Sequence, residues 1–400
     1  MKNLFASAAV LALTVGGAFA ADGVVKIGVL NDQSTSFSAL GGTEAVEAVK
    51  LAIADFGGEV LGQPIEFVSA DHQNKPDVAL SIAREWLDTQ GVDLILDVPN
   101  SAIALGLNTL IGESEKMGIF ISPLTDRPTE ADCNGHVLAW AYDAYSTVGT
   151  AVNAQLDKGF EKFFILSPDY EAGKVMSSWV ETAVANGGGE VVGKVAAPLG
   201  TTDFSSFILQ AQASGADVIQ VNLNGSELIN ALKQIQEFGL IDMGQRVAVT
   251  FLHQSDARSI GAESLQGIQF AAPWFWTQDD ESRAFGERMK DITGNAPGWV
   301  AAGNYSAATA YLNAVQAAGS DDPDAVFQAM QGADLDDMFV KSGELRPNGR
   351  LVHDMYLLEV RDADEVGDSQ EYFRLEATVP ADEAFQPLSA SACPLVTASN

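Results

Sequence analysis

The chain has 400 residues, of which 47% are hydrophobic and only 19% are charged, a composition typical of a folded protein rather than a disordered acidic one. Its formal net charge is −32 at pH 7. Because so acidic a chain repels phosphate groups, the charge argues against nucleic acid and anionic membrane surfaces as partners.

The N-terminus has the three parts of a secretory signal peptide. Lys2 supplies a positive charge, an apolar run extends from Leu4 to Val15, and Ala18-Phe19-Ala20 forms an A-x-A cleavage site. The run is too short for a membrane span, and no cysteine stands at the cleavage point to carry a lipid anchor. We therefore expect residues 1–20 to be removed and the mature chain to act outside the cytoplasm. It keeps about 380 residues, enough for two domains.

Strands and helices alternate along the first part of the mature chain. Apolar runs predict strands, and apolar residues at helical spacing predict helices. The predicted strands are Val24–Leu30, Ile65–Ala70, Val92–Val98 and Ile119–Ile121, and the predicted helices are Glu44–Phe56, Asp77–Gln90 and Ser101–Met117. Such alternation is typical of parallel βαβ units in an open α/β sheet.

The alternation then begins again, which predicts a second α/β half. The later predicted strands are Phe163–Leu166, Val191–Val195, Val218–Val221, Val247–Phe251 and Gly349–Val360. The later predicted helices are Tyr145–Lys158, Gly173–Asn186, Phe204–Ala213, Ser226–Phe238, Glu281–Ile292 and Gly303–Ala318. Two facing halves form a cleft, the usual place for a small-molecule site.

Ligands of open α/β sheets bind beyond the carboxyl ends of the strands. There, Asn100 and Ser101 begin a predicted helix, whose free N–H groups favour an anion. Ser122 and Thr125 follow the next strand, so these residues together predict a cradle for a carboxylate. The alternative is that Asn100 or Ser101 is an ordinary N-cap.

Other candidates lie in a polar loop, at strand ends and among aromatic side chains. Ser36 and Phe37 belong to a loop that is either part of the site or a flexible surface segment, and Asn222 and His253 follow predicted strands. Large aromatic residues cluster near the crossings between the halves, where they either line the cleft or pack in the core. They are Trp140, Tyr142, Tyr145, Tyr170, Trp274, Phe275 and Trp276.

Enzyme chemistry finds little support in the sequence. The four histidines have no metal-binding spacing, and the chain has no G-x-S-x-G elbow, Walker loop or dinucleotide fingerprint. We therefore predict no catalytic residue, no metal site and no cofactor. Cys133 and Cys393 are either joined by a disulfide, as expected in an oxidising compartment, or two separate buried thiols.

Several motifs in order along the chain resemble the type I periplasmic solute-binding proteins of ABC importers, in the leucine/isoleucine/valine-binding branch. These motifs are the first strand with its Ser-rich loop, the Asn100-Ser101 helix start, the segment Ser122–Thr125, the segment Ser167–Gly173 and the segment Gly343–Arg350. Ser167–Gly173 is similar to the D-Y-x-x-G turn of that family. Each motif is short, but their order and spacing are specific, and the likeness extends over essentially the whole mature chain.

The resemblance implies two Rossmann-like lobes with open, mostly parallel sheets, joined by three hinge crossings. The expected lobes are residues 21–141 with 273–350 and residues 142–272 with 351–385, followed by a tail, 386–400, held by the disulfide. It also implies a monomer in the periplasm that passes its ligand to an ABC permease in the inner membrane. Ser101, Ser122 and Thr125 would hold the ligand carboxylate, and Tyr170 would contact it from the second lobe.

One departure from the family bears on the ligand. Amino-acid binders carry an acidic residue after the strand that matches Val247–Phe251, where it pairs with the ligand ammonium. In this chain His253 or Gln254 falls there, and Asp256 lies beyond. A buried ammonium without a partner is costly. The sequence therefore favours a carboxylate without an amino group, such as an aromatic acid, and an amino acid stays open if Asp256 reaches the cleft.

Three functions remain at this point. The first is a binding protein for an importer, the second is a sensor subunit of the same fold that reports its ligand to a receptor or kinase, and the third is a secreted enzyme. The absence of a recognisable nucleophile–base pair argues against the enzyme.

Overall fold

The structure is a computed structural model that describes residues 24–241 and 243–397, the last of these by its backbone only. The predicted signal peptide and its cleavage site lie outside the described residues. The described chain forms two large sheets with helices on both faces.

The first sheet has six strands in the order β2-β3-β1-β4-β5-β6. All neighbours are parallel except β2, which pairs with β3 in the antiparallel direction. Its central strands are buried on both faces, as expected of a parallel sheet covered by helices. The strands are β1 (Val25–Asn31), β2 (Glu59–Val60), β3 (Gln63–Asp71), β4 (Leu94–Asp97), β5 (Met117–Phe120) and β6 (Val137–Ala139).

The second sheet has seven strands in the order β15-β14-β11-β10-β9-β7-β8. Strands β7 to β11 are parallel, whereas β14 runs antiparallel to both of its neighbours. The strands are β7 (Lys162–Pro168), β8 (Glu190–Ala197), β9 (Val218–Val221), β10 (Arg246–Val249), β11 (Gln269–Ala272), β14 (Met355–Val360) and β15 (Phe373–Val379). A separate short ribbon pairs β12 (Glu344–Leu345) with β13 (Leu351–Val352).

Helices cover the sheets and complete the cores. Those that frame the cleft or cover a sheet are α1 (Gly42–Phe56), α2 (Pro76–Glu85), α3 (Ser101–Gly112), α4 (Ala144–Leu156), α5 (Glu171–Asn186), α6 (Ser205–Ala213), α7 (Gly225–Glu237), α8 (Gln254–Ile260), α10 (Asp280–Thr293), α11 (Trp299–Ala318) and α12 (Pro323–Gln331). Shorter helices are α9 (Ala262–Leu265), α13 (Ala363–Val366), α14 (Ala381–Ala384) and α15 (Pro394–Thr397). Helix α11 packs on α1, so it belongs to the first lobe although it follows the second sheet in sequence.

The chain passes between the two sheets three times. It leaves the first sheet after β6, returns to the first lobe after β11, and enters the second sheet again between β13 and β14. The predicted fold class, two Rossmann-like lobes with three crossings, is confirmed. The limits given above for the lobes stay a prediction.

Several predicted elements differ from the structure. The strand predicted over Gly349–Val360 is wrong as a single element, because it divides into β13 and β14 at His353 and Asp354. There the His353 ring lies 2.9 Å from the carbonyl oxygen of Ala141, and the Asp354 N–H donates to Lys341. Helix α3 ends at Gly112, five residues before the predicted end, because Met117 already pairs in the sheet.

The two cysteines form a disulfide, as one of the two alternatives from the sequence predicted. It joins Cys133, in the loop before β6, to Cys393, just before α15. The bond therefore holds the C-terminal segment against the first lobe. The side chain of Glu130 adds polar contacts, since its carboxylate accepts hydrogen bonds from Ser391 and from the N–H of Ala392.

Candidate ligand-binding cleft

A small cavity lies between the lobes, at the carboxyl ends of the central strands of both sheets. It measures about 20 Å³, roughly the room for one water molecule. The lobes touch beside it, where the Ser255 hydroxyl donates to the carbonyl oxygen of Ala39 at 2.6 Å. Any larger ligand therefore enters only when the lobes move apart. The lining residues are Phe37, Leu40, Pro99, Ser101, Ser122, Leu124, Tyr142, Tyr170, Asn224, Phe251, His253 and Trp299.

The N-terminus of α3 faces this cavity. Asn100 caps the helix, because its side-chain oxygen accepts from the N–H groups of Ala102 and Ile103 at 2.8 and 3.2 Å. Ser101 is the first helical residue and lines the cavity, and its hydroxyl has no hydrogen-bond partner within the described part of the chain. A free hydroxyl at a helix N-terminus, where the helix dipole is positive, is suited to hold a carboxylate.

The backbone just before α3 is strained. Asp97 and Val98 have φ angles of 80° and 63°, in the left-handed region that a β-branched residue such as Val98 rarely adopts. Such conformations persist only where surrounding contacts impose them, and they are common at functional sites. The strain turns the chain sharply from the end of β4 into Pro99 and Asn100 beside the cavity.

A buried carboxylate lies beneath this wall. Asp97 is 1% exposed, and it accepts hydrogen bonds from the Asn31 amide at 2.9 Å and from the Ser122 hydroxyl at 2.8 Å. Burial raises the pKa of the Asp97 carboxyl, although hydrogen bonds from Asn31, Ser122 and Asn304 act against that rise. The Ser122 hydroxyl, which we predicted to hold the ligand, is thus bonded to Asp97 when that group is ionised.

Aromatic rings form the apolar part of the wall. The centroid of Tyr142 lies 4.9 Å from that of Phe251 and 5.2 Å from that of Trp299, in tilted and edge-on arrangements. The Tyr142 hydroxyl donates to the carbonyl oxygen of Ser122 at 2.6 Å, and burial raises its pKa well above the ordinary value. The Tyr142 phenol is therefore neutral. Its side chain lines the cavity. Rings in this arrangement suit a flat apolar ligand.

His253 completes the aromatic wall. Its ring stacks on Trp299 with a centroid distance of 5.0 Å, and burial lowers its pKa to about 3. The imidazole is therefore neutral at physiological pH. Behind it, the carboxylate of Asp256 accepts a hydrogen bond from the N–H of His253, and burial raises the Asp256 pKa to about 7. Asp256 is fully buried and is not among the residues that line the cavity.

The second lobe contributes Tyr170 and Asn224 to the cavity. Tyr170 is the N-cap residue of α5, and its hydroxyl makes no hydrogen bond within the described residues. Burial raises its pKa to about 12, so it is a neutral hydrogen-bond donor. Asn224 precedes α7 and its side chain does not cap that helix. Both side chains are thus available to a ligand.

Six of the ten predicted site residues line the cavity, and four do not. Those that line it are Phe37, Ser101, Ser122, Tyr142, Tyr170 and His253. Ser36, Asn100, Thr125 and Asn222 lie outside the lining, and three of these have other hydrogen-bond partners. The Ser36 hydroxyl accepts from the Asn74 amide at 3.2 Å. Asn100 caps α3 and donates to Asn74, whereas the Asn222 amide donates to Ser167 and its oxygen accepts from Thr250.

Sequence reasoning missed six residues of the lining, five of which are apolar. The missed residues are Leu40, Pro99, Leu124, Asn224, Phe251 and Trp299. Phe251 and Asn224 stand at or just after predicted strand ends, so extending the strand-end rule from polar to aromatic side chains would have found Phe251. The predicted aromatic cluster is divided, since Trp140 and Trp274 are core residues whose indole N–H groups donate to Ser306 and Ser282.

A larger groove lies on the outer face of the second lobe, between α4, α5 and β15. Its volume is about 410 Å³, and its lining includes Tyr145, Trp179 and Leu357. The groove lies away from the carboxyl ends of the strands, and its lining residues come from helices and strands of the second lobe and from residues 383 and 384 after β15. We therefore regard the smaller cavity between the lobes as the candidate site, because both lobes and a helix N-terminus meet there.

Comparison with known proteins agrees with this arrangement. A family model described as "Periplasmic binding protein" matches residues 24–365. The chain belongs to the periplasmic binding protein family. Members of this family are binding proteins of the periplasm, which agrees with the prediction that the chain is not an enzyme. Within the described residues, no helix combines the length and hydropathy of a membrane span, and no three His, Cys, Asp or Glu side chains gather as metal ligands would.

Three individual proteins that this chain resembles are also described as binding proteins, two of them of ABC transporters. The chain is 42% identical to a solved branched-chain amino acid ABC transporter periplasmic ligand-binding protein from Burkholderia xenovorans, with a TM-score of 0.86 over 93% of this chain and 100% of that one. It is 25% identical to Leu/Ile/Val-binding protein homolog 6 of Brucella melitensis, over 74% of this chain and 76% of that protein. The solute-binding protein of an ABC transporter from R. palustris, solved with benzoate, shares the fold at 20% identity, with a TM-score of 0.82 over 93% of this chain and 100% of that one.

Proposed function

We propose that this periplasmic binding protein captures a small carboxylate between its lobes and delivers it to an ABC permease in the inner membrane. The favoured ligand is an aromatic or other hydrophobic acid without an amino group. The observation that carries this choice is the composition of the cavity wall. It offers the free hydroxyl of Ser101 at a helix N-terminus, a set of aromatic rings, and no Asp or Glu side chain among its lining residues.

The charge balance of the wall supports this choice. A carboxylate finds hydrogen-bond donors in Ser101 and Tyr170 and the positive end of the α3 dipole. An ammonium group would face neutral His253 and no carboxylate of the wall, which leaves it desolvated and unpaired. The benzoate complex of the R. palustris protein supports the capacity of this fold to hold an aromatic acid.

A branched-chain amino acid is the second candidate. The relative from Burkholderia xenovorans is named for branched-chain amino acid transport, and it is the more similar in sequence of the two solved structures compared above. An amino acid would need an acid near its ammonium, and Asp256 lies directly behind His253. This candidate therefore requires His253 to move so that Asp256 faces the cavity.

The test is a thermal-shift screen of residues 21–400, followed by calorimetry on each hit. The panel is benzoate, 4-hydroxybenzoate, cinnamate, isovalerate, L-leucine and L-valine, since a ligand that binds only the folded state raises the melting temperature. Shifts from the acids but not the amino acids support the proposal. A shift from leucine or valine supports the second candidate, and no shift from any compound contradicts a carboxylate-binding function.

Two further parts of the proposal concern assembly and signalling. We propose that the protein is a monomer whose lobes, with the limits given above, move as rigid bodies about the three crossings. A sensor subunit of the same fold is the alternative to transport. Binding of the ligand-loaded protein to its permease, or to a receptor instead, in a pull-down from membranes of the source organism distinguishes the two.

A further inference from the structure

Asp97 is a buried carboxylate without a cation beside the predicted carboxylate cradle. Its polar neighbours are Asn31 on β1, Ser122 after β5 and Asn304 on α11, none of which is charged. No lysine or arginine of the described chain forms an ion pair with it. An ionised group in such surroundings is costly to bury, so its presence at a strained turn beside the site requires an explanation.

The Ser122 hydroxyl has a single proton, and the charge of Asp97 decides where that proton points. An ionised carboxylate only accepts hydrogen bonds, so Ser122 then donates to Asp97 across 2.8 Å and presents lone pairs to the cavity. A protonated Asp97 can donate to the Ser122 oxygen instead. The serine hydroxyl is then free to donate to a ligand in the cavity that it lines.

We propose that Asp97 is a positioning residue that takes up one proton from solvent when the ligand carboxylate binds, and that this proton turns the Ser122 hydroxyl toward the ligand. The proton adds to an Asp97 carboxylate oxygen, and a buffer acid loses it. Two carboxylates in one poorly solvated site cannot both stay ionised at low cost, so binding the second favours protonation of the first. The inference rests on the proposed function, namely that a carboxylate binds in this cleft.

The other titratable groups that face the site limit the alternatives. Tyr142 and Tyr170 have pKa values raised by burial, so both are neutral before and after binding. The neighbours on β1 and α11 are the amides of Asn31 and Asn304, which do not titrate. His253, with its pKa lowered by burial, is the other group of the wall able to accept a proton. The experiment must therefore separate Asp97 from His253.

Calorimetry of the tightest-binding panel acid, in pairs of buffers with different ionisation enthalpies, measures the protons taken up. We expect wild-type protein to take up about one proton above the pKa of unliganded Asp97, where affinity falls by up to about tenfold per pH unit. Asp97→Asn keeps the shape of the side chain and offers an amide N–H to Ser122. This variant should take up no proton when the acid binds, so its affinity should be independent of pH. At the alkaline end of the pH range, its affinity should be about tenfold higher than that of wild type.

The matched control is Asp93→Asn. Asp93 is another buried aspartate of the first lobe, at the opposite end of β4, where it pairs with Lys116. Because it lies far from the cavity, this variant should keep both the proton uptake and the affinity of wild type. The His253→Gln variant should also retain the uptake, whatever its affinity.

Three results would overturn the inference. They are no proton uptake by wild type at any pH from acid to alkaline, uptake that persists in Asp97→Asn, and uptake that is lost in His253→Gln alone. If Asp97→Asn fails to fold by circular dichroism, difference infrared spectroscopy of wild type decides, since binding should create the band of a protonated carboxyl group. Carboxylate binding without uptake contradicts only this inference, whereas no carboxylate binding at all contradicts the proposed function.

Discussion

The two sheets end at the same cleft, but their ends differ in what they leave unbonded. In the first lobe, the hydroxyl of Ser101 makes no hydrogen bond within the described chain, and the backbone of Asp97 and Val98 is strained. In the second lobe, Asn222 and Thr250 bond to each other and, through Ser167 and Gln220, to the neighbouring strands. The polar residues that follow β9 and β10 are therefore satisfied within the second lobe, and the groups that this lobe leaves free for a ligand lie at helix starts instead.

This difference shows why some polar residues at strand ends are free to bind a ligand, whereas others form hydrogen bonds that stabilise their own lobe. The amide of Asn222 stands between two strands that each carry a hydroxyl within reach, so its hydrogen bonds are made inside the lobe. Ser101 begins a helix, where the first N–H groups have no partner within the helix. Binding groups of the second lobe instead come from Tyr170 and Asn224, which precede helices as Ser101's neighbour Asn100 does.

The largest predicted effect concerns stability of the second-lobe wall. Burial raises the pKa of Asp256 to about 7, above its value in the unfolded chain, so the folded state loses stability as pH rises from about 4 to about 7. Asp256→Asn keeps an oxygen for the N–H of His253 and removes this loss. The difference in unfolding free energy between this variant and wild type should therefore grow by about 3 kcal/mol in favour of the variant as pH rises from about 5 to about 8.

Urea unfolding at the two pH values measures this gain. Asp203→Asn is the control, because Asp203 is exposed before α6 and should change the pH dependence little. An equal pH dependence in wild type and Asp256→Asn would show that Asp256 is not the group responsible.

Asn222→Ala should lower the stability of the folded protein without lowering its affinity for the ligand. The substitution leaves the buried hydroxyls of Ser167 and Thr250 with fewer partners, so we expect a loss of about 2 kcal/mol in unfolding free energy. Calorimetry with the ligand identified by the screen should give an affinity within about twofold of wild type. A large loss of affinity without a loss of stability would place Asn222 in the site and remove the contrast between the two walls.

Ser101→Ala should show the opposite pattern. It removes one hydrogen bond to the ligand carboxylate, for which we expect an affinity loss of about tenfold and an almost unchanged melting temperature. Ser205→Ala is a matched control, since Ser205 is also the first residue of a helix, α6, but lies outside the cavity lining. Equal affinity in both variants would mean that the carboxylate is not held at α3.

Tyr170→Phe has the smallest expected effect. It keeps the ring and removes the hydroxyl, which is a neutral donor from the second lobe, so affinity should fall about fivefold. The same change at Tyr372, which lies outside the cavity lining, should have no effect on affinity. Wild-type affinity in Tyr170→Phe, together with a loss in Tyr170→Ala, would assign the contribution of Tyr170 to its ring alone.

The sequence predicted the fold well because its signals are local. Apolar runs alternate with amphipathic helices through both halves, and these periodic segments became the strands and helices of the two sheets. Strands β2, β6, β11, β12 and β15 were missed. The first four have only two to four residues, and β15 is an exposed edge strand. Segments this short or this exposed carry too weak an apolar pattern to be recognised from the local sequence.

The candidate site was harder to predict, because its wall is assembled from distant parts of the chain. Trp299 reaches the cavity only because α11 returns to the first lobe after the second crossing, which no local pattern indicates. Asp97 did leave a signal, since a charged residue interrupts the apolar run from Leu94 to Val98. A buried charge in a central strand is expensive, so it is a better indicator of function than the many polar residues at strand ends.

The disulfide has a consequence for how the protein is made. A chain exported from its N-terminus presents Cys133 long before Cys393, which lies 260 residues later and near the end. The sequence has no third cysteine, so the early thiol has no wrong partner within its own chain. Its only competitors are thiols of other molecules. In a chain exported in this direction, the bond closes only after Cys393 has followed Cys133 across the membrane, so its oxidation state would report whether those 260 residues have crossed.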